Sequence, residues 1–318
     1  MQRRTVLKNT AATLAGLTCL PAYAMSRPNA TAAERAYGVQ LFTIPKLVEA
    51  DLPGTLALIA EIGYREVEFF GPYPFSAEAT KRSWEQIKSM VGLSDNAFYG
   101  HAIGEVARML ADNGLTAPSM HADLISMREN LDALISGVAP LQPRYLIVPA
   151  ISEGRDNLDA YKRLAEEFNA FGRRMRENGM KFAYHNHGYE HLMMDGVTPL
   201  DYLIEHTDPA YVQFELDVFW MTAAGADPVS YLRKFPGRFK LLHLKDASAP
   251  FRFSGDGQTP DQWFAGFPLM ADPGDGVYDI PAILEAAEAG GAEHYFLERD
   301  LAPEPVQTLR NSFANLTA

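Results

Sequence analysis

The sequence predicts an α/β fold, a (β/α)8 barrel in a single domain. Three observations carry that prediction. From Ala36 onward, eight short runs of β-branched and aromatic residues alternate with longer helical patterns. The first run leads into Thr43-Ile44-Pro45-Lys46 with no glycine, so the glycine-rich phosphate loop usual after the first strand of an open doubly wound sheet is missing. Acidic and histidine side chains gather at the C-terminal ends of the runs, where barrels of this kind hold their sites.

Taken in order, strands are predicted at 37–42, 65–70, 117–121, 145–149, 181–185, 212–217, 239–244 and 295–298. The intervening helices fall at 52–61, 76–90 with 103–113, 126–139, 158–178, 199–205, 228–234 and 281–289, and a last one at 303–315. Gly63, Gly114 and Gly179 each stand a residue or two beyond a helix, where a left-handed cap ends it. Leu164, Phe168, Phe171 and Met175 recur at the three- and four-residue spacing of one helix face. The stretch 71–99 reads as an insertion over the barrel mouth. Residues 248–279, rich in Gly, Pro and Asp, read as a long loop after the seventh strand, a length that is usually functional.

Composition bounds the function. The chain has 318 residues, 47% hydrophobic and 21% charged, enough to bury a large core and unlike a disordered chain. Cys19 is the single cysteine, so no disulfide framework or cysteine metal site exists. With Lys+Arg 28 against Asp+Glu 40, the formal charge of -12 argues against nucleic acid or an anionic membrane surface as partner. Residues 1–24 read as a cleaved export signal: Arg3 and Arg4 precede a short apolar segment, and Ala22-Tyr23-Ala24 fits a small-x-small cleavage site. The paired arginines resemble the twin-arginine class, which implies a periplasmic protein without its thiol. Residues 25–35 then form a linker and 36–318 the barrel.

His185, Asp217, His243 and Glu298 end four consecutive strands, and their side chains are expected to converge in the mouth as an N2O2 set. That mixture suits one divalent ion, Mn, Mg, Co or Zn, with positions left for substrate oxygens. The ion also relieves the repulsion between closely held carboxylates.

These residues carry a resemblance to the sugar phosphate isomerase/epimerase family, the xylose-isomerase-like (β/α)8 barrels. The matching stretches are Gly38-Val39-Gln40-Leu41-Phe42, Val67-Glu68-Phe69, His185-Asn186-His187 with Glu190, and Leu216-Asp217-Val218-Phe219-Trp220. They continue through Ala224-Gly225-Ala226-Asp227-Pro228, His243-Leu244-Lys245-Asp246, residues 274–281 and Leu297-Glu298-Arg299-Asp300. The resemblance implies a single divalent metal held by the four residues named. Ketose 3-epimerase relatives carry a glutamate at the position of His185 and a histidine at that of Trp220, so their two-glutamate proton exchange is not matched here. Relatives of this kind often pair, which makes a homodimer an expectation carried by the resemblance alone.

The chemistry expected is that of a carbohydrate isomerase or epimerase: proton abstraction beside a carbonyl, with a metal-stabilised enediolate. The substrate is a small sugar or keto-sugar. His187, His121 and Glu298 are the candidate bases, and Lys245 orients substrate or stabilises negative charge. Gln40, Glu68, Phe69 and Trp220 are the candidate substrate-binding residues, with Glu68 alternatively orienting a ligand. The runner-up is a metal-dependent lyase acting by β-elimination on a 3-keto-sugar or 3-keto-glycoside. A third reading, of another class, is a sugar-binding barrel without turnover.

Overall fold

The computed structural model describes residues 35–93 and 98–318, without the side chains of residues 89 and 90. The export signal expected at 1–24 lies outside the described residues, as does all of the expected linker but Arg35.

Strands β1 (Tyr37–Gln40), β2 (Glu66–Phe70), β3 (Thr116–His121), β4 (Tyr145–Val148), β5 (Lys181–His185), β6 (Val212–Asp217) and β7 (Phe239–Leu244) follow one another in parallel. The pair β8 (Asp246–Ala247) and β9 (Met270–Ala271) is antiparallel and stands apart from the barrel. β10 (His294–Leu297) closes the barrel between β7 and β1, with Val39 opposite Leu297. Helices lie between the strands, and several begin at an acid or amide whose side chain accepts a first-turn N–H: Asp51, Asp123, Asn157 and Asp279.

Strand side chains alternate between two environments. Val39, Val67, Phe69, Leu146, Phe182, Leu216, Leu242 and Leu297 face the helices and belong to the main core. Tyr145, Ile147, Ala183, Leu241 and Phe296 fill the barrel itself as a separate apolar plug. Gly38 makes room for that plug, since a Cβ there would fall 2.5 Å from the Phe296 ring. The polar residues of the same inward faces stack above the plug, toward the C-terminal ends of the strands.

Most boundaries shift by only a residue or two, and two segments differ more from the sequence expectation. β1 stops at Gln40 rather than residue 42, because the Gln40 side chain accepts the Phe42 N–H (3.1 Å) and turns the chain into a 3-10 turn, Leu41–Thr43. The segment after β7 is ordered rather than bare loop: it carries the β8–β9 pair and a short helix, Pro260–Phe264. Among the described residues no helix is long and apolar enough to cross a membrane.

Candidate active site

The polar layer begins with Glu68, fully buried on β2. Gln40 Nε2 donates to its Oε2 (2.7 Å), the Ser119 hydroxyl donates to its Oε1, and His243 Nε2 lies 2.6 Å from Oε2. Glu215 on β6 is equally enclosed. Its Oε2 meets His121 Nε2 at 2.8 Å and His185 Nδ1 at 3.0 Å, and its Oε1 lies 3.2 Å from His243 Nε2. Three imidazoles therefore rest on two carboxylates.

Nearer the mouth, His243 Nδ1 lies 2.6 Å from Glu298 Oε2, and His185 Nε2 lies 3.5 Å from Asp217 Oδ2. Lys245 Nζ sits among Asp217 (3.1 Å), Glu298 (2.8 Å) and Asp300 (2.7 Å). Asp217 is aimed by its neighbours. Its backbone N–H donates to the Asn186 side chain (3.0 Å), and its Oδ1 accepts the Trp220 N–H (2.9 Å). Its Oδ2 is left without a hydrogen bond, with the Lys245 ammonium 3.1 Å and the His185 imidazole 3.5 Å away.

Charge in this space is set by burial against pairing. Burial works to lower both His121 and His243. Glu68 and Glu215 nevertheless hold His121 up at about 9, and Glu215, Glu298 and Glu68 hold His243 well above the ordinary range. His185, nearly as enclosed, is pushed well below it by burial. Burial pushes Asp217 up, with Lys245 opposing. Burial also pushes Asp300 up to about 7, against Lys245 and with Glu298 adding.

Five buried carboxylates (Glu68, Glu215, Asp217, Glu298 and Asp300) face one ammonium and the two imidazoles held protonated, His121 and His243, so carboxylates outnumber cations. That surplus, together with the unbonded Asp217 Oδ2, fits a dication. Asp217, His243 and Glu298 offer ligand atoms within 4.8 Å of one another, as do His121, His185, Glu215 and His243. The structure thus brings three of the four expected ligands into one group and puts His185 in the adjoining one, with His243 shared.

The remaining expected residues separate clearly. His187 lines the cleft, its ring 5.9 Å from Trp220 and 5.2 Å from Trp263. Burial and then Lys245 push it down to about 3, so it is neutral, and its Nδ1 has no hydrogen-bond partner. Glu190 fixes this turn by accepting the His187 N–H (3.0 Å) and the Tyr184 hydroxyl. Gln40 and His121 line the cleft, whereas Glu68 lies beneath it with both oxygens engaged by Gln40, Ser119 and His243.

Two sugar-wall expectations need correction. Phe69 points out of the barrel and packs on Phe98 (6.0 Å); Phe70, one residue on, faces the cleft. Trp220 borders the cleft but is only 2% exposed, with the near-parallel rings of Phe253 and His187 about 6 Å away, so it leaves little open surface for a sugar. Sequence reasoning gave Glu215 and Asp300 no role in the site. Glu215 was detectable by parity, since it shares the inward face of β6 with Asp217.

The cleft, about 390 Å³, opens above these groups. The sequence model of the xylose isomerase-like TIM barrel family matches residues 56–312. An inosose dehydratase from Lacticaseibacillus casei is 30% identical over 146 residues, 44% of this chain and 46% of that protein. The matched region is thus under half the length of that relative. A sugar phosphate isomerase/epimerase structure from Parabacteroides distasonis ATCC 8503 aligns with a TM-score of 0.68 at 24% identity, over 89% of this chain and 94% of that one. The IOLI protein with a bound zinc atom aligns with a TM-score of 0.62 at 16% identity, over 88% and 95%. At such identities the structural likeness is one of fold.

Proposed function

The chain belongs to the xylose isomerase-like TIM barrel family, and on that premise we propose that it is a metal-dependent carbon–oxygen lyase acting on a keto-sugar or related keto-polyol. The observation that carries the reading is the joining, in one cleft, of the Asp217–His243–Glu298 group with Lys245 and Asp300. A divalent ion held by that group, with His185 beside it, supplies a Lewis acid for a substrate oxygen.

The chain's own groups then divide the work. Asp300, which lines the cleft 2.7 Å from Lys245 and is pushed up by burial, takes the proton from the carbon beside the carbonyl. Lys245, whose ammonium is held by three carboxylates against the pull of burial, stabilises the negative charge that develops on oxygen. Neutral His187 accepts a substrate hydroxyl at its free Nδ1. The electron pair left on carbon forms a double bond as the neighbouring carbon–oxygen bond breaks, and the departing oxygen is protonated. The relative named inosose dehydratase supports loss of an oxygen as the outcome.

Isomerisation or epimerisation shares the first step. It is supported by the neighbour named a sugar phosphate isomerase/epimerase. His185 stands where the two-glutamate epimerase relatives carry a glutamate, which counts against epimerisation by that exchange. Product mass in heavy water separates the readings. We expect a product lacking the elements of the leaving group, from a panel of keto-sugars and keto-cyclitols. A product of unchanged skeleton carrying one deuterium makes the enzyme an isomerase or epimerase, and binding without exchange makes it a non-catalytic barrel.

A further inference from the structure

The cleft holds far more aromatic surface than a single polyol ring needs. Phe42, Phe70 and Trp84 form one group on its lining, with ring centroids 5.1 Å and 6.1 Å apart along the series. Trp263, Phe264 and Phe267, carried by the segment between β8 and β9, form a second. These two jaws line the same cavity as Lys245, Glu298 and Asp300, so the apolar slot is continuous with the polar centre. At the rim Ile87 is 37% and Phe264 42% exposed, two of the few large apolar side chains the described surface leaves in water.

The second jaw is tied in place. The Arg155 guanidinium donates to the Gln258 carbonyl (2.6 Å) and lies over Tyr189 (4.0 Å) and Trp263 (5.7 Å), while Trp263 Nε1 donates to the Gly257 carbonyl (2.6 Å). A slot of this composition suits a flat apolar group, and 390 Å³ lies within the range of about 300–1,000 Å³ usual for small-molecule sites.

We propose that the substrate is a two-ring molecule, a keto-glycoside whose aglycone is a flat aromatic group seated between the two jaws. The inference rests on the lyase reading given above and adds the leaving group to it. The proton leaves the ring carbon beside the ketone, its electron pair becomes the new ring double bond, the bond from the anomeric carbon to the aglycone oxygen breaks, and that oxygen takes a proton. The products are an unsaturated keto-sugar and a free phenol, with no change in overall oxidation state. The substrate must come from a reaction that oxidises a ring hydroxyl of an intact aryl glycoside.

Calorimetric binding to the full-length folded protein tests the slot without turnover, using 4-nitrophenyl β-glucoside against methyl β-glucoside. The aryl compound is expected to bind about tenfold tighter, the equivalent of one well-placed aromatic contact and the area it covers. Trp84→Ala and the rim variant Phe264→Ala are each expected to narrow that ratio to about threefold or less. Phe264 is exposed enough that its variant keeps the fold. Equal affinities, no binding of the aryl compound at millimolar concentration, or a ratio unchanged in both variants overturns the proposal. If the ratio behaves as expected while no keto-glycoside loses its aglycone, the lyase reading fails and the slot stands.

Discussion

Asp246 follows Lys245 but faces away from the barrel, and its substitution by asparagine gives a quantitative test of how the mouth is built. The carboxylate is fully buried and accepts four backbone N–H groups: Ala247 (2.8 Å) and Tyr278 (3.0 Å) at Oδ1, Gly274 and Gly276 (both 3.0 Å) at Oδ2. Gly276 is required for this approach, because a Cβ there would collide with the carboxylate. Asp246→Asn keeps one acceptor oxygen and turns an amide NH2 toward the other two donors. Two charge-assisted bonds are lost and two N–H groups, at least one of them only half-buried, are left without an acceptor, a cost of about 3 kcal/mol. For a chain of this size that is a fall in Tm of roughly 6 °C. Thermal melting gives the total. Hydrogen exchange locates it, with faster exchange at Gly274, Gly276 and Tyr278 and unchanged exchange in β3 to β6. A Tm within a degree of the parent, with those three amides still protected, refutes the reasoning.

Further expectations concern other parts of the chain. Phe69→Ala removes a ring from the helix-facing core and costs about 3 to 5 kcal/mol with KM unchanged, whereas Phe70→Ala raises KM; denaturant titration beside steady-state kinetics checks both. His191, packed on Tyr231 with ring centroids 5.0 Å apart, is pushed down by burial to about 4. The unfolded chain binds the extra proton between pH values of about 6.5 and 4, so stability falls across that window by roughly 2 kcal/mol. His191→Gln flattens the fall, and parallel denaturation curves for the two proteins at pH 7 and pH 4.5 would count against it. Replacing Arg3 and Arg4 by lysine is expected to block export, read by fractionating the host cell; undiminished export removes the twin-arginine assignment.

The eight-strand count, the strand order and most boundaries were legible because strands and helices here have different apolar periods and glycine stops. The end of β1 was not, since Gln40 diverts the Phe42 N–H through a side chain that composition does not reveal. The candidate ligands were legible as strand-end residues, and Asp217, His243 and Glu298 do meet. Phe69 was misjudged by reading a motif instead of parity, for in a barrel successive residues face opposite layers. Parity also singles out Glu215 beside Asp217, and it separates Lys245, turned into the mouth, from Asp246, turned into the backbone of residues 274–278. Trp220 could not be judged from the sequence, because the Phe253 that stacks beside it lies on a distant loop. Asp300 lies beyond β10, where no strand pattern fixes a direction.

Metal content of the purified protein bears most directly on the central claim. The account predicts about one equivalent of divalent ion per chain in the parent protein, and its loss from Asp217→Ala and from His243→Ala in variants that keep the parent's circular dichroism. A full equivalent retained in both variants, or none in a parent protein purified without chelator and offered each divalent ion in turn, contradicts it.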